Sequence, residues 1–397
     1  MIGLDDLMRI ELRRSFRWLP ANLRCARATR ALSLQSCRGV AESRAHSWMS
    51  RMQTLAGKCG TLSLMPIDLQ HGVPFAGTAN NVRLRNETVE VVVPTTYGPR
   101  IMGYARPGAA NMFAEVSPRM QRVATPFGED WHIYGGHRLW AAPEDSVRSY
   151  YPDNRAVEVE SAGHTLTVRQ AAETHTGLAK QLAITLYERS SRVSVVHGLR
   201  NEGTAALELA PWALSAMAPG GTAIFPQPPF APHPRALAPA RPLVLWPFTR
   251  MSDPRYSWGD RFILLRQDSD RPEPQKFGFF NDCGFMAYAR SGELFVKCHL
   301  PSPGPHADFG CNAQTFTNEL FLELESLGPM VTLAPSESVT HREEWFLFDD
   351  FEDAWSSESA LATSIAEVLA RIAEQLAAHG DQPELMALLE RGDEKGC

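Results

Sequence analysis

The strongest constraint on the fold is a series of short β-type runs that starts near residue 81 and continues to about residue 350. Many runs alternate apolar with polar residues, and Gly, Pro, Asn or Asp often separates one from the next, as around TVEVVVP, KQLAITLYE, RVSVVHGLRN and ELFLELE. Alternation with a period of two indicates strands, and many short strands joined by turns are typical of a sandwich or barrel. We therefore predict an all-β fold, a large antiparallel β-sandwich.

A proline-dense stretch interrupts the β-type runs between about residues 218 and 258, where the sequence FPQPPFAPHPRALAPARP occurs. Proline has no amide hydrogen to donate, so a central strand cannot contain so many of them. The stretch therefore predicts a long ordered loop or a pair of loops. Long loops on a β scaffold often carry function.

The two ends of the chain differ from the β region. Residues 1–60 are rich in Arg, Ser and Ala, and they lack the apolar segment of a secretory signal. We expect a disordered or helical extension there, with an Arg-rich targeting peptide or a start at Met52 as alternatives. Residues 61–350 form the predicted sandwich domain. Residues 351–397 form a helical segment, in which Ser357 is the expected N-cap and Gly380 the expected stop.

Composition excludes several classes of protein. The net charge of −6 gives no global positive field for nucleic acid or anionic lipid. No stretch approaches the roughly 18 apolar residues that a membrane span needs. The seven cysteines are odd in number and form no CxxC pair, a pattern that favours reduced thiols and a cytoplasmic location over disulfides or a zinc site.

The sequence also lacks the short motifs that bind common cofactors or metals. It contains no Walker loop, no HExxH, no GxSxG and no dinucleotide fingerprint. We therefore expect neither a cofactor nor a metal.

Three segments carry a resemblance to the galactose mutarotase-like superfamily, which includes the aldose 1-epimerases. Residues 95–116 (TTYGPRIMGYARPGAANMFAEV) resemble its opening strands, and residues 318–348 (NELFLELESLGPMVTLAPSESVTHREEWFLF) resemble its terminal strands. Residues 130–154 (DWHIYGGHRLWAAPEDSVRSYYPDN) resemble a motif of an uncharacterised bacterial family within it, and also a stretch of glucose-6-phosphate 1-epimerases. The resemblance implies a β-supersandwich with a C-terminal α-helix, a small-molecule carbohydrate as ligand, and a monomer or homodimer.

The resemblance also implies the chemistry of sugar ring opening. In mutarotases a glutamate takes the proton from the anomeric hydroxyl while a histidine protonates the ring oxygen. The strand FLELE offers Glu323 and Glu325 on one face, and the following Leu-Gly-Pro favours Glu325 as the base. The alternative is an exposed acidic face of the sheet.

The acid is harder to place, because the sequence departs from the mutarotase pattern. The stretch APWALSAM carries Trp212 at or beside the place of the mutarotase histidine, and an indole cannot give up and regain a proton at neutral pH. His137, between the glycines and Arg138 in GGHRLW, is the substitute candidate. A histidine that is hydrogen-bonded at a strand end is the alternative interpretation.

Charged and aromatic side chains around the same motif are candidates for sugar contact. Arg forms bidentate hydrogen bonds to hydroxyls or carboxylates, and aromatic rings stack on the C–H faces of sugars. A buried salt-bridge network is the alternative for the charged residues, and Lys276 or Lys297 is expected to meet a phosphate or uronate if the sugar carries one. We predict these substrate-binding residues: Arg138, Trp140, Glu144, Arg148, Trp212 and Trp258.

Three hypotheses about function follow. The first is an isomerase that resembles aldose 1-epimerases and interconverts sugar anomers by acid–base ring opening. The second is a non-catalytic carbohydrate-binding protein on the same fold. The third is a lyase or hydrolase that uses the same cleft, with Tyr151 or Tyr256 in the catalytic role.

Overall fold

The computed structural model describes residues 67–117, 121–351 and 354–395. The extension predicted at residues 1–60 lies outside these ranges. Within them, no helix is long and apolar enough to cross a membrane.

Most of the described chain is organised as short strands. In chain order these are β1 (Asp68–Phe75), β2 (Thr78–Arg85), β3 (Glu90–Pro94), β4 (Arg100–Ile101), β5 (Gly103–Ala105), β6 (Arg122–Val123), β7 (Trp131–His132), β8 (Gly136–Ala142), β9 (Glu158–Ala162), β10 (Thr165–Gln170), β11 (Leu178–Leu186), β12 (Val193–Asn201), β13 (Leu207–Met217), β14 (Thr222–Pro226), β15 (Val244–Leu245), β16 (Tyr256–Trp258), β17 (Phe262–Arg266), β18 (Gln275–Phe279), β19 (Phe285–Arg290), β20 (Glu293–Cys298), β21 (Ala313–Thr317), β22 (Leu322–Leu327), β23 (Val331–Leu333) and β24 (Ser338–Phe348). A short turn at Ala307–Gly310, a 3₁₀ helix at Ala354–Ser356, and the helices α1 (Glu358–His379) and α2 (Pro383–Lys395) complete the described elements.

The strands form two large sheets and two small ones. The ten-stranded sheet has the order β16-β17-β14-β19-β20-β24-β12-β11-β10-β9, and the eight-stranded sheet has the order β15-β18-β21-β22-β13-β8-β4, with β23 paired to β13. The small sheets are β1-β2-β3-β5 and β6-β7. Neighbouring strands such as β8 and β13, or β13 and β22, run antiparallel. The predicted antiparallel all-β architecture is confirmed.

The main hydrophobic core lies between the two large sheets. Alternation along β22 directs Leu322 and Leu324 into this core, and the ten-stranded sheet contributes residues such as Ile184, Val195 and Trp345. The intervening residues of β22, including Glu323 and Glu325, therefore lie on the opposite face of the eight-stranded sheet, which we call the outer face.

Helix α1 begins and ends where the sequence predicts. The Ser357 side chain accepts a hydrogen bond from the amide of Ala360, and Gly380 ends the helix in the left-handed conformation at φ 67°. The apolar face of α1, with α2 beside it, packs against side chains of the ten-stranded sheet such as Phe346 and Phe348 in a second core. The C-terminal helical segment thus contains two helices.

The proline-rich stretch is a loop, as predicted, but it is shorter than the sequence suggests. Strand β14 occupies Thr222–Pro226 and strand β16 occupies Tyr256–Trp258, and between them the only strand in the described chain is the two-residue β15. The loop brings Trp246 and Phe248 to the outer face of the eight-stranded sheet.

A buried ion pair between neighbouring strands of the ten-stranded sheet also contacts the eight-stranded sheet across the core. Lys297 Nζ of β20 lies 2.7 Å from Glu343 Oε1 of β24, and both side chains are fully buried. The same ammonium donates hydrogen bonds of 3.0 Å to the carbonyl oxygens of Ala213 in β13 and Leu324 in β22. One cation therefore fixes two strands of the opposite sheet.

Two buried histidines continue this polar cluster, and their hydrogen bonds define their tautomers. His197 Nδ1 lies 2.9 Å from the carbonyl oxygen of His341, which can only accept, so Nδ1 carries the proton. His137 Nε2 then donates to His197 Nε2 at 2.6 Å, and the Ser215 hydroxyl donates to His137 Nδ1 at 2.9 Å. Burial lowers the pKa of both His137 and His197, which agrees with neutral rings.

The cysteines differ from the sequence-based expectation at one position. Cys298 and Cys311 are free and buried, as reduced structural thiols are expected to be. Cys283, however, is disulfide-bonded, so the prediction of reduced thiols is wrong for this residue.

We predict that Lys297→Met destabilises the protein by about 3–5 kcal/mol, because it leaves the Glu343 carboxylate buried without its counter-charge. Urea denaturation followed by tryptophan fluorescence measures the change. Arg200→Met is the control, since the Arg200–Glu202 pair is about half exposed and such pairs contribute about 0–1 kcal/mol. Equal effects of the two substitutions would contradict the structural role of the buried pair.

Candidate functional site on the outer face of the eight-stranded sheet

The outer face of the eight-stranded sheet carries a pocket of about 310 Å³. This volume is at the lower end of the range of about 300–1,000 Å³ that is typical of small-molecule sites. Polar side chains of the lining include Arg138, Glu144, Lys276 and Glu323. The aromatic lining consists of Trp131, Trp140, Tyr150, Trp212, Trp246, Phe248, Phe316 and Phe321.

Strand register explains which polar side chains share the pocket floor. Lys276 of β18 is paired with Phe316 of β21, and Phe316 is paired with Glu323 of β22. These three residues form one row across the outer face. In the next row, Glu325 of β22 is paired with Leu214 of β13, and Leu214 is paired with Arg138 of β8.

Glu323 is held in the pocket by an ion pair. Arg138 Nη1 lies 2.8 Å from Glu323 Oε1, and both side chains are almost fully buried. The guanidinium carbon also lies 4.4 Å from the ring centre of Trp140 and 5.6 Å from that of Trp131. Cation–π contacts of this kind favour a fixed position for the cation. Arg138 therefore orients the carboxylate of Glu323.

Glu325 is fully buried and does not line the pocket, because Trp212 lies beside it. The indole Nε1 of Trp212 donates to Glu325 Oε2 at 2.8 Å, and Lys276 Nζ lies 3.6 Å from the same oxygen. Glu325 Oε1 has no hydrogen-bond partner among the described residues. Burial raises the pKa of Glu325 to about 7, with Lys276 acting in the opposite direction.

Lys276 lines the same pocket as Arg138. Its ammonium lies 4.8 Å from the ring centre of Trp212 and 4.7 Å from that of Trp246. Apart from the Glu325 contact, this ammonium makes no ion pair or hydrogen bond with the described residues. Its protons are therefore available to a ligand in the pocket.

Two other predicted contact residues have different positions. Glu144 lines the pocket and accepts a hydrogen bond of 2.6 Å from the hydroxyl of Tyr150. Arg148 does not line the pocket. It donates instead to the carbonyl oxygens of Pro143 and Glu208 at 3.1 and 3.2 Å, so its role is to hold the loop that follows β8.

His137 is a clear correction to the sequence-based prediction. It neighbours Arg138 in β8, so alternation places the two side chains on opposite faces of the sheet. Its ring contacts Trp345 inside the core, with 4.7 Å between ring centres, and lies in the buried cluster described above. His137 therefore cannot face a sugar on the outer face together with Glu323.

Trp258 is also outside the pocket. It belongs to β16 at the edge of the ten-stranded sheet, where its side chain is 38% exposed. Its indole nitrogen donates to the carbonyl oxygen of Met251 at 3.1 Å. Trp140 and Trp212, by contrast, line the pocket as predicted contact residues would.

The predicted substrate-binding residues omit six aromatic side chains of the lining: Trp131, Tyr150, Trp246, Phe248, Phe316 and Phe321. Phe321 shares the alternation of Glu323 and Glu325, which is a signal that could have identified it. Trp246 comes from the proline-rich loop, and nothing in its local pattern indicates which sheet the loop covers.

One cluster of side chains has the spacing of a metal site, but its candidate ligand atoms already form hydrogen bonds or an ion pair with other side chains. The ligand atoms of His137, His197 and Glu343 lie within 4.8 Å of one another in the core. The two histidines bond to each other through Nε2, and Lys297 occupies one oxygen of Glu343. A metal would have to displace these partners, so we assign no metal to the cluster.

Comparison with known proteins gives a result for the fold only. No family model matches the chain, and no curated protein matches its sequence. Among solved structures, a candidate aldose 1-epimerase from Klebsiella pneumoniae matches 72% of this chain and 83% of its own, at 10% identity and a TM-score of 0.50. The chain has the galactose mutarotase-like fold.

Two further solved structures are similar to the chain at lower TM-scores. A galactose mutarotase-like protein from Lactobacillus casei matches 68% of this chain and all of its own, at 11% identity and a TM-score of 0.43. A TPR-domain containing protein from Parabacteroides distasonis matches 70% of this chain at 14% identity and a TM-score of 0.48, and the match spans 48% of that protein.

We predict that Glu325→Gln stabilises the protein more at pH 8 than at pH 5. Because the folded-state pKa of Glu325 is raised above its usual value, the folded state binds the proton more tightly, and this side chain costs stability as pH rises through about 7. The neutral amide removes that cost, which is up to roughly 3 kcal/mol at about 1.4 kcal/mol for each pKa unit. Thermal unfolding at both pH values measures the difference, and an equal gain at pH 5 and pH 8 would contradict the raised pKa.

Proposed function

We propose that this protein binds a sugar in the pocket on the outer face and interconverts its anomers, with Glu323 as the general base. The observation that supports the proposal is a carboxylate fixed by Arg138 inside an aromatic pocket. The galactose mutarotase-like fold is compatible with this chemistry, but the likeness to solved structures extends to the fold alone.

The chemistry of the lining supports a carbohydrate as the ligand. Indole and phenyl rings offer flat apolar surfaces for the C–H faces of a sugar. Arg138 and Lys276 offer donors to the hydroxyl groups, while Glu144 and Glu323 offer acceptors. A small, largely apolar pocket with a few convergent polar groups is the usual form of a small-molecule site.

The choice of Glu323 over Glu325 rests on access. Ring opening starts when a base takes the proton of the anomeric hydroxyl, which requires hydrogen-bond distance between the base and the sugar. Glu323 lines the pocket, whereas Glu325 lies beside Trp212 and has no exposed surface. We therefore assign the base to Glu323, although the sequence favours Glu325.

The second candidate function is carbohydrate binding without catalysis. It is favoured by one observation: among the described residues, no histidine lines the pocket. The predicted acid, His137, lies in the core. A lyase or hydrolase has less support, since neither Tyr151 nor Tyr256 lines the pocket.

We predict that Trp246→Ala weakens sugar binding about 5- to 10-fold, because it removes one stacking surface worth about 1 kcal/mol. Isothermal titration calorimetry with a panel of aldoses measures the affinity. Trp258→Ala is the matched control and should leave the affinity unchanged, since Trp258 does not line the pocket. Equal losses in both variants, or no heat with any sugar for the unmodified protein, would contradict a sugar site in this pocket.

We predict that the protein speeds the change in optical rotation of a freshly dissolved α-aldose, and that Glu323→Gln lowers kcat about 10²- to 10⁴-fold by removing the base. Polarimetry with the spontaneous rate subtracted measures both. Glu202→Gln, an exposed residue at the end of β12, is the control. Sugar binding without any gain in rate across the panel would establish the non-catalytic candidate instead.

A further inference from the structure

We propose that Lys276 is the general acid that protonates the ring oxygen, in the place where mutarotases use a histidine. This inference rests on the proposed epimerase function and on Glu323 as the base. It assigns a catalytic role to a residue that the resemblance to mutarotases does not indicate.

The row of residues on the pocket floor gives Lys276 the required position. Lys276, Phe316 and Glu323 are register partners on three adjacent strands, β18, β21 and β22. Adjacent strands lie about 4.8 Å apart, so the backbones of Lys276 and Glu323 are about 10 Å apart. Both side chains line the same pocket, with Phe316 between them. The Lys276 ammonium reaches β22, where it lies 3.6 Å from Glu325 Oε2, and Glu323 lies two residues from Glu325 on the same face of that strand. A pyranose ring in the pocket would therefore meet both the Glu323 carboxylate and the Lys276 ammonium.

The other donors of the lining are unsuitable as general acids. A guanidinium does not release a proton in proteins, which excludes Arg138, and the indoles of Trp131, Trp140, Trp212 and Trp246 act only as hydrogen-bond donors. The hydroxyl of Tyr150 donates a hydrogen bond to Glu144, and burial raises the pKa of this hydroxyl. Lys276 is the remaining donor with a proton that it can transfer and recover.

The surroundings of Lys276 leave that proton available. Its ammonium lies 3.6 Å from Glu325 Oε2, beyond the usual length of a hydrogen bond, and its other close contacts are the faces of two indoles. The side chain is only about 6% exposed, so few water molecules can solvate the ammonium. Burial also raises the pKa of Glu325 to about 7, so this carboxyl group is only partly ionised near neutral pH.

The proton transfers balance without any other reactant. The Glu323 carboxylate takes the proton of the anomeric hydroxyl, the bond between C1 and the ring oxygen breaks, and the Lys276 ammonium protonates that oxygen. This gives the open-chain aldehyde. After rotation about the bond between C1 and C2, the neutral Lys276 amine takes the proton back as the hydroxyl attacks C1, and Glu323 returns its proton to the new anomeric oxygen.

Lys276→Arg tests the assignment, because it keeps the positive charge but cannot release a proton. We expect this variant to bind the sugar within about threefold of the unmodified protein and to lose kcat about 10²-fold or more. Lys276→Met removes both charge and proton, so it should lose binding as well as rate. Calorimetry and polarimetry on the full-length chain, with circular dichroism as a check of folding, provide the two readouts.

The outcomes separate this inference from the function on which it rests. A Lys276→Arg variant with an unchanged kcat, in a protein whose rate depends on Glu323, would overturn the role of Lys276 and leave the epimerase function in place. An unmodified protein that binds sugar without any rate enhancement would overturn both. A loss of binding in Lys276→Arg equal to its loss of rate would assign Lys276 to substrate binding only.

Discussion

The alternation of side chains along β8, β13 and β22 is the constraint on which the rest of this structure depends. Each strand of the eight-stranded sheet sends one residue into the core and the next onto the outer face. Leu324 therefore packs between the sheets, while Glu323 and Glu325 face outward. Since all three strands are antiparallel and in register, the same alternation collects the polar and aromatic side chains of the pocket on a single face.

The pocket depends on the core beneath it through the buried ammonium of Lys297. Removing two charges from water is costly, and the pair with Glu343 is tolerated because hydrogen bonds satisfy both groups. Two of these bonds end on the carbonyl oxygens of Ala213 and Leu324, in the strands that carry Trp212, Glu323 and Glu325 on their other face. The strands that form the pocket floor are thus fixed from the core side, so the backbone that carries Glu323 is rigidly held.

Local pattern in the sequence was sufficient for the fold and for part of the site. The period-two alternation in FLELE placed Glu323 and Glu325 on one face, and the caps of α1 were identifiable from Ser357 and Gly380. The face occupied by His137 could not be derived in this way, because it depends on the register between β8, β13 and β22, which are far apart in the chain. The screening of Glu325 by Trp212 is likewise a contact across strands, with no local signal.

The two ion pairs of the pocket give it a particular electrostatic character. Glu323 is paired with Arg138, and among the described residues Glu325 is the one counter-charge of Lys276. A ligand with a full negative charge would compete with both carboxylates, and the carboxylates would repel it at close range in a site with little water. An uncharged sugar avoids this cost, because its hydroxyl groups can donate to Glu323 and accept from Lys276 at once. The arrangement therefore favours neutral aldoses over phosphorylated or uronic sugars. The presence of a lysine alone would suggest a negatively charged sugar, but the two carboxylates beside it outweigh that preference.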